Sequence, residues 1–285
     1  MQHCKSPHII IGRDTKMALL ELEARLDNLL STAQVETADI DLFAPLKERE
    51  ECPICMIPLP FGEREIIFMV CCGKRICMGC VNKQKMTDTK NKVPMHKIKC
   101  AFCCQQEPKN QVKALKKLIK KNNPDALMQM GVRYALGDET MQSNTKSLEM
   151  VIRAAELGHA PAYAIIGDYY RDGIAVEEDF SKAAAFWEIA AKKGSIYAHH
   201  QVAVFHQING NVNKAIDHLK VTASAGDEEA IDNLMRFYKH KLLSKEDLTQ
   251  TLRAYQASSS ETKSKDRENA TRILEEARKK GEDPP

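Results

Sequence analysis

Residues 162–179 read AYAIIGDYYRDGIAVEED, followed by Lys182-Ala183, Trp187 and Ala190-Ala191 before Gly194. Letters of this stretch recur along the chain at fixed steps. Ala126, Ala162 and Ala198 are 36 residues apart, and Ala230 comes 32 later. Gly131 and Gly167 keep the step of 36, as do Lys146 and Lys182, with Lys214 a further 32 on. A period in the mid-thirties with two helical stretches per unit predicts stacked helical hairpins, because small alanines at recurrent positions let paired helices approach closely. The units also end alike, at Gly158, Gly194 and Gly226, where glycine suits the positive φ of a helix C-cap. The expected fold is mainly α, an α-solenoid of helical hairpins.

The 162–191 unit resembles the Sel-1-like subclass of the tetratricopeptide repeat. The unit before it, Leu127 to Gly158, keeps the Gly-x-x-Tyr-x-x-Gly core as Gly131, Tyr134 and Gly137. A third unit loses those glycines and four residues of loop, and a fourth, with Leu234 and Tyr238 in place, is expected to cap the stack. The resemblance implies that this surface binds other proteins.

Upstream the composition changes. Nine of the ten cysteines lie between Cys52 and Cys104, and none follows. Such crowding points to metal and not to a disulfide scaffold. Cys52-Pro-Ile-Cys55, Cys71-Cys72, Cys77-Met-Gly-Cys80 and Cys100-Ala-Phe-Cys103 are four close pairs. Eight thiolates suffice for two closed tetrahedral zinc sites with no open position for hydrolytic chemistry. A segment this short buries little core, so zinc binding, on the order of ten kcal/mol per site, would have to stabilise it. A redox reading of Cys52-Pro-Ile-Cys55 fits less well, since such a motif needs one pair on a βαβ scaffold, not four pairs in series.

The order and spacing resemble an all-cysteine RING finger, with 15 residues between the first two pairs and 19 between the last two. That resemblance implies a small α+β cross-brace in which Cys52, Cys55, Cys77 and Cys80 hold one Zn2+, and Cys71, Cys72, Cys100 and Cys103 a second. Lys74 stands where the common RING has histidine, and a protonated lysine cannot ligate. Cys71 is expected to substitute, with Cys104 or His96 as alternatives at the second site. RING proteins act as ubiquitin transferases by docking a ubiquitin-charged conjugating enzyme and positioning its thioester, so no catalytic residue is expected. Docking would use Ile54 and Phe102. Ala101 replaces a usual proline and Cys104 a frequent arginine, which keeps a non-catalytic adaptor as the alternative.

Residues 14–30 place Leu19, Leu22, Leu26, Leu29 and Leu30 on one face of a helix, expected to pack on the zinc module or on a second copy. Lys109, Lys113, Lys116, Lys117, Lys120 and Lys121 surround Val112, Leu115, Leu118 and Ile119, which suits a solenoid cap with its lysines in water, with contact to RNA or an acidic membrane surface as the alternative. His199-His200 is expected to be a surface or packing pair, and Trp187 a core residue of its repeat. Walker, Gly-x-Ser-x-Gly and His-Glu-x-x-His motifs are absent.

The chain should therefore comprise an N-terminal helix and linker (1–50), a RING-type zinc finger (51–106), a basic helical connector (107–123), Sel-1-like repeats (124–240), and a C-terminal helical cap with a polar tail (241–285), disordered from Gly281. The expected partners are a conjugating enzyme and a protein substrate held by the repeats. The net charge of +3, from 42 basic and 39 acidic residues, gives little reason to expect nucleic acid. His8-Ile9-Ile10-Ile11 is too short for a signal peptide, and no apolar run approaches the ~20 residues needed to span a bilayer. An intracellular protein of cytosol or nucleus is the expectation.

Overall fold

A computed structural model describes residues 13–43, 49–60, 65–93 and 99–280. In chain order they form α1 (Arg13–Glu36), β1 (Ile66–Met69), β2 (Lys74–Cys77), α2 (Met78–Lys90), α3 (Gln111–Ile119), α4 (Pro124–Leu136), α5 (Asn144–Glu156), α6 (Ala160–Asp172), α7 (Phe180–Lys192), α8 (Ile196–Ile208), α9 (Val212–Ser224), α10 (Glu228–Lys239), α11 (Lys245–Thr262) and α12 (Lys265–Lys280). The isoleucine-rich start, His96 and the segment from Gly281 fall outside the described residues.

Helices α4 to α9 form three hairpins, α4 with α5, α6 with α7 and α8 with α9, each packed on the next. Their ends are written locally. Asn123, Ser143, Asp179 and Ser195 cap the starts of α4, α5, α7 and α8 by accepting backbone N–H bonds. At the far ends Gly158, Gly194 and Gly226 take φ of +79°, +97° and +101°. Their N–H groups reach Ala155, Ala191 and Ala223, while the next residues reach Ala154, Ala190 and Thr222. These are Schellman closures, and the αL position explains the recurrent glycine.

Within the α6–α7 hairpin the approach is close because Gly167 has no side chain. A Cβ there would lie 2.4 Å from Trp187 Nε1. Buried Trp187 donates instead to Ala164 O and Asp168 Oδ1, both at 3.2 Å, and so belongs to the core as expected. Tyr170 stacks on Phe186 at 5.7 Å beneath it. Thirty-six and thirty-two residues on, the same places are held by His206 and His218, with ring centroids 5.8 Å apart. His199 joins them, its Nδ1 3.0 Å from His218 Nδ1, so one neutral ring donates and the other accepts. Of the adjacent pair, His199 is thus a buried packing residue, while His200 is half-buried near Asp227.

The N-terminal helix corrects one expectation. Leu22, Leu26, Leu29 and Ala33 of α1 are buried in the repeat core, across α5 and α7, and not against the cysteine-rich segment. Arg25–Glu156, Asp27–Lys182 and Glu36–Lys193 ion pairs frame that contact. Helix α3 caps α4 as its apolar stripe requires: Leu115 is buried with Ala126 and Met130, and Val112, Leu118 and Ile119 pack around them. The C-terminal segment is more ordered than its polarity suggests, since α11 packs on α9 and α10 and α12 docks on α2. No described helix is long and apolar enough to cross a membrane.

Candidate metal centres and interaction faces

The cysteine-rich segment is built from three tight turns. In the first, Cys52 N bonds Ile57 O and Met56 N bonds Cys52 O; in another, Cys100 N bonds Gln105 O and Cys104 N bonds Cys100 O. Each turn ends at a positive φ, 56° at Met56 and 57° at Cys104. The third is the β1–β2 connection, where Gly73 at φ 70° returns its N–H to Met69 O. Strands β1 and β2 pair antiparallel, Ile66 opposite Cys77 and Met69 opposite Lys74. The hairpin carries Cys71 and Cys72 at one end and Cys77 at the other.

These turns gather the eight cysteines into two groups, Cys52, Cys55, Cys77 and Cys80, and Cys71, Cys72, Cys100 and Cys103, with all Sγ atoms of a group within 4.8 Å of one another. Pairs one and three are together, as are two and four, so the two groups interleave along the chain. In the first, Cys52–Cys80 and Cys55–Cys77 are 3.9 and 3.8 Å apart. In the second, Cys72–Cys100 and Cys71–Cys103 are 4.0 and 3.6 Å apart. Four sulfurs at about 2.3 Å from a central ion would form a tetrahedron with edges near ~3.8 Å, so both groups could hold a metal ion of that size. Adjacent cysteines share the second group because the β-turn carries them. Cys104 stays out of it, exposed at its left-handed position, the counterpart of Met56 in the first turn.

Burial opposes ionisation of Cys52, yet N–H groups of Cys55, Cys77 and Ile54 overcome it and bring its pKa down to about 7. Burial, then neighbouring thiols, push Cys71 and Cys80 well up. Four thiolates around one centre repel each other unless a dication compensates them, and that coupling makes metal affinity pH-dependent. The first group is also braced from afar: Arg267 of α12 donates to Pro58 O at 2.7 Å and Ile57 O at 3.1 Å. Nothing in the local sequence of Arg267 signals this.

Ile54 and Phe102, each third in its Cys-x-x-Cys turn, project to solvent, 39% and 42% exposed. Met56 is exposed beside Ile54, an apolar neighbour that the spacing of Cys52 and Cys55 did not single out.

A second face lies along the first helices of the hairpins. Between Phe68 and Arg75 of the β-hairpin and α4, α6 and α8 runs a groove of about 570 Å³, lined by Met128, Val132, Ile165 and Tyr197 among others. Of its lining residues Tyr197 donates to Asp168 at 2.8 Å, a carboxylate that also lies 3.3 Å from Arg171, and Tyr169 donates to Ser147. Burial raises the Asp168 pKa, partly offset by the Tyr197 bond and Arg171. Farther along the row Val204, Ile208, Met235 and Tyr238 are exposed.

Residues 124–159 and 160–195 match the family described as the Sel1 repeat, so the chain contains two such repeats in α4–α5 and α6–α7. Among solved structures, the chain is similar to a protective antigen present in uropathogenic Escherichia coli strains and displaying an SLR fold. That match has 24% identity and a TM-score of 0.45, over 53% of this chain and 33% of that one. It is also similar to a Sel1 repeat protein from Oxalobacter formigenes, with 22% identity and a TM-score of 0.48, over 65% of this chain and 80% of that one. The chain thus spans about a third of the length of the first of these proteins. No curated protein matches it significantly.

Proposed function

We propose that this protein is a ubiquitin ligase of the RING type, whose cysteine module docks a ubiquitin-charged conjugating enzyme while the repeats hold the protein to be modified. One observation carries the reading: two cysteine tetrads interleave along the chain, and the Cys52–Cys55 and Cys100–Cys103 turns leave their apolar third residues, Ile54 and Phe102, exposed at the surface. Zinc would supply a structural cross-link here and no chemistry on the substrate. Catalysis would come from orientation, the conjugating enzyme's thioester being held in a reactive pose.

Supporting the second half of the proposal, the Sel1 repeats are a protein-interaction fold, and the groove beside Phe68 and Tyr197 offers an apolar surface rimmed by hydrogen-bonding groups. A binding role for the repeats stands whether or not the module transfers ubiquitin. The rival is a non-catalytic adaptor, favoured by Ala101 and Cys104 at positions where active RING fingers often carry proline and arginine.

An autoubiquitination assay with a panel of conjugating enzymes separates the two. Zinc-dependent chains from the wild type, lost in Ile54→Ala with zinc content unchanged, are the expected result. Well-folded, zinc-loaded protein that makes no chains with any enzyme of the panel would leave the adaptor reading standing.

A further inference from the structure

The small net charge conceals a strong asymmetry. Residues 71–121 hold fourteen Lys and Arg against only Asp88 and Glu107, whereas the whole chain has 42 against 39. The remainder of the chain is therefore net acidic, and the positive charge is concentrated in residues 71–121, six of the fourteen on or flanking α3.

Helix α3 turns its apolar side to α4 and the β-hairpin, and its other side presents Lys113, Lys116, Lys117 and Lys120, all exposed, with exposed Lys109 and Lys121 at the ends. Two further exposed lysines, Lys74 and Lys99, flank the second cysteine group. Gly73 packs on Leu118, which sets Lys74 beside the helix. Lys99 precedes the Cys100–Cys103 turn, its carbonyl held by Gln84 Nε2 at 3.1 Å. Nearby basic residues do have acidic partners, Arg75 with Glu50 and Lys83 with Asp266, but among the described residues none of these eight lysines has one. The acids near α3 sit at its N-terminal end, where Glu107 accepts from Gln111 and Glu139 from Val112 N.

Lys113 and Lys117, and likewise Lys116 and Lys120, are like charges one helical turn apart, a mutually repulsive arrangement that a bound polyanion relieves. Among polyanions, Phe102 selects. Its ring stands exposed on the Cys100–Cys103 turn, a few residues ahead of Lys109. The Cys100–Cys103 turn meets Cys72 and Cys71 at 4.0 and 3.6 Å, at the hairpin end where Gly73 packs on Leu118 of α3; a cationic track with an exposed aromatic ring on the adjoining turn is the combination that holds a strand's phosphates while a base stacks. Helix α3 has no outward apolar residues to insert into a lipid surface. We infer that the lysine face of α3, with Lys74, Lys99 and Phe102, binds single-stranded nucleic acid.

Fluorescence anisotropy on the full, zinc-loaded chain with a single-stranded RNA of about 20 nucleotides tests this. Affinity should fall with salt. Replacing Lys113, Lys116, Lys117 and Lys120 together by Gln should weaken binding at least about tenfold and make the log–log salt slope shallower by about three, at roughly 0.7 per lost contact. Phe102→Ala should cost about tenfold with little change in slope, and duplex RNA, which offers no free base, should bind more weakly. Ile54→Ala should bind RNA like the wild type, so this inference and the ligase proposal fail separately. Unchanged affinity and slope in the zinc-loaded, folded quadruple variant would overturn it. So would equal binding of a poly-glutamate peptide, or binding of phosphatidylserine vesicles without binding of RNA.

Discussion

Arg267 Nη2 lies 3.8 Å from Cys55 Sγ, although 212 residues separate them. The same guanidinium donates to Ile57, Pro58 and Thr262 carbonyls. The backbone of Arg267 leaves no room for a side chain at Gly79, whose Cβ would sit 2.8 Å from Arg267 N. With Lys83–Asp266 and Arg49–Glu261, these contacts tie the end of the chain to the cysteine module. The module is consequently held between α3 on one side and α12 on another.

Arg267→Met should loosen the first cysteine group and leave the second alone. Three carbonyls lose a donor, at about 1 kcal/mol or more each where they stay dry. In chelator competition on the zinc-loaded protein, one of two ions should leave markedly faster than in the wild type. Equal release of both ions at wild-type rates would show that α12 does not brace the site.

Metal content should follow the two groups. Two zinc ions per chain are expected for the wild type and for Cys104→Ser, whereas Cys55→Ser and Cys72→Ser should each hold about one tightly. Elemental analysis after desalting reads this directly. Loss of an ion in Cys104→Ser would place that thiol among the ligands, against the exposed position it has here.

Two glycines of neighbouring repeats should differ in their tolerance of alanine. Gly167→Ala meets Trp187 at 2.4 Å and Ala183 O at 3.0 Å, an overpacking cost of about 2 kcal/mol or more. Gly158→Ala meets nothing within 4 Å and bears only the strain of φ +79°, about 1 kcal/mol. Thermal denaturation of the two variants should rank them in that order; the reverse ranking would contradict the close helix approach at Trp187.

The buried histidines should make the repeats acid-sensitive. Burial lowers His199 to about 4 and His218, also beside His199, His206 and Lys214, to about 3, from an ordinary 6.5. Because the unfolded chain takes up these protons first, stability is full above pH 6.5 and falls as pH drops from there toward 4. The loss is on the order of 3 kcal/mol for His199 alone. Trp187 fluorescence during denaturant unfolding at pH 7 and pH 5 reports on the repeats. His218→Phe, which restores the aromatic that Phe186 supplies one repeat earlier, should flatten the dependence. An equally steep profile in that variant would assign the acid sensitivity elsewhere.

Much of this protein is written locally. The capping residues Asn123, Ser143 and Asp179 and the glycines that take αL conformations each depend on residues within a turn or two, and the 36-residue step linking Ala126, Ala162 and Ala198 repeats them unit by unit. A reading of the letters therefore finds the hairpins. Three of the four cysteine pairs are legible for a related reason, since a two-residue spacer sets two sulfurs close before any tertiary contact exists; which pairs share a group followed from the resemblance. Only the tertiary structure decided what each face meets. The leucine stripe of α1 specifies burial but not a partner, and α5 and α7 took it. The polar sequence around Arg267 gives no apolar signal, yet one guanidinium reaching three carbonyls and a sulfur docks α12 on the module. His206 and His218 look ordinary until the repeat register sets them where a tyrosine and a phenylalanine stack. The lysines of α3 average out in the net charge but are crowded in the letters, and only the fold sets their helix against the hairpin end that carries Cys71 and Cys72. Periodicity records which residues seek burial or water; burial is non-directional, so the choice of partner waits for the whole chain to close.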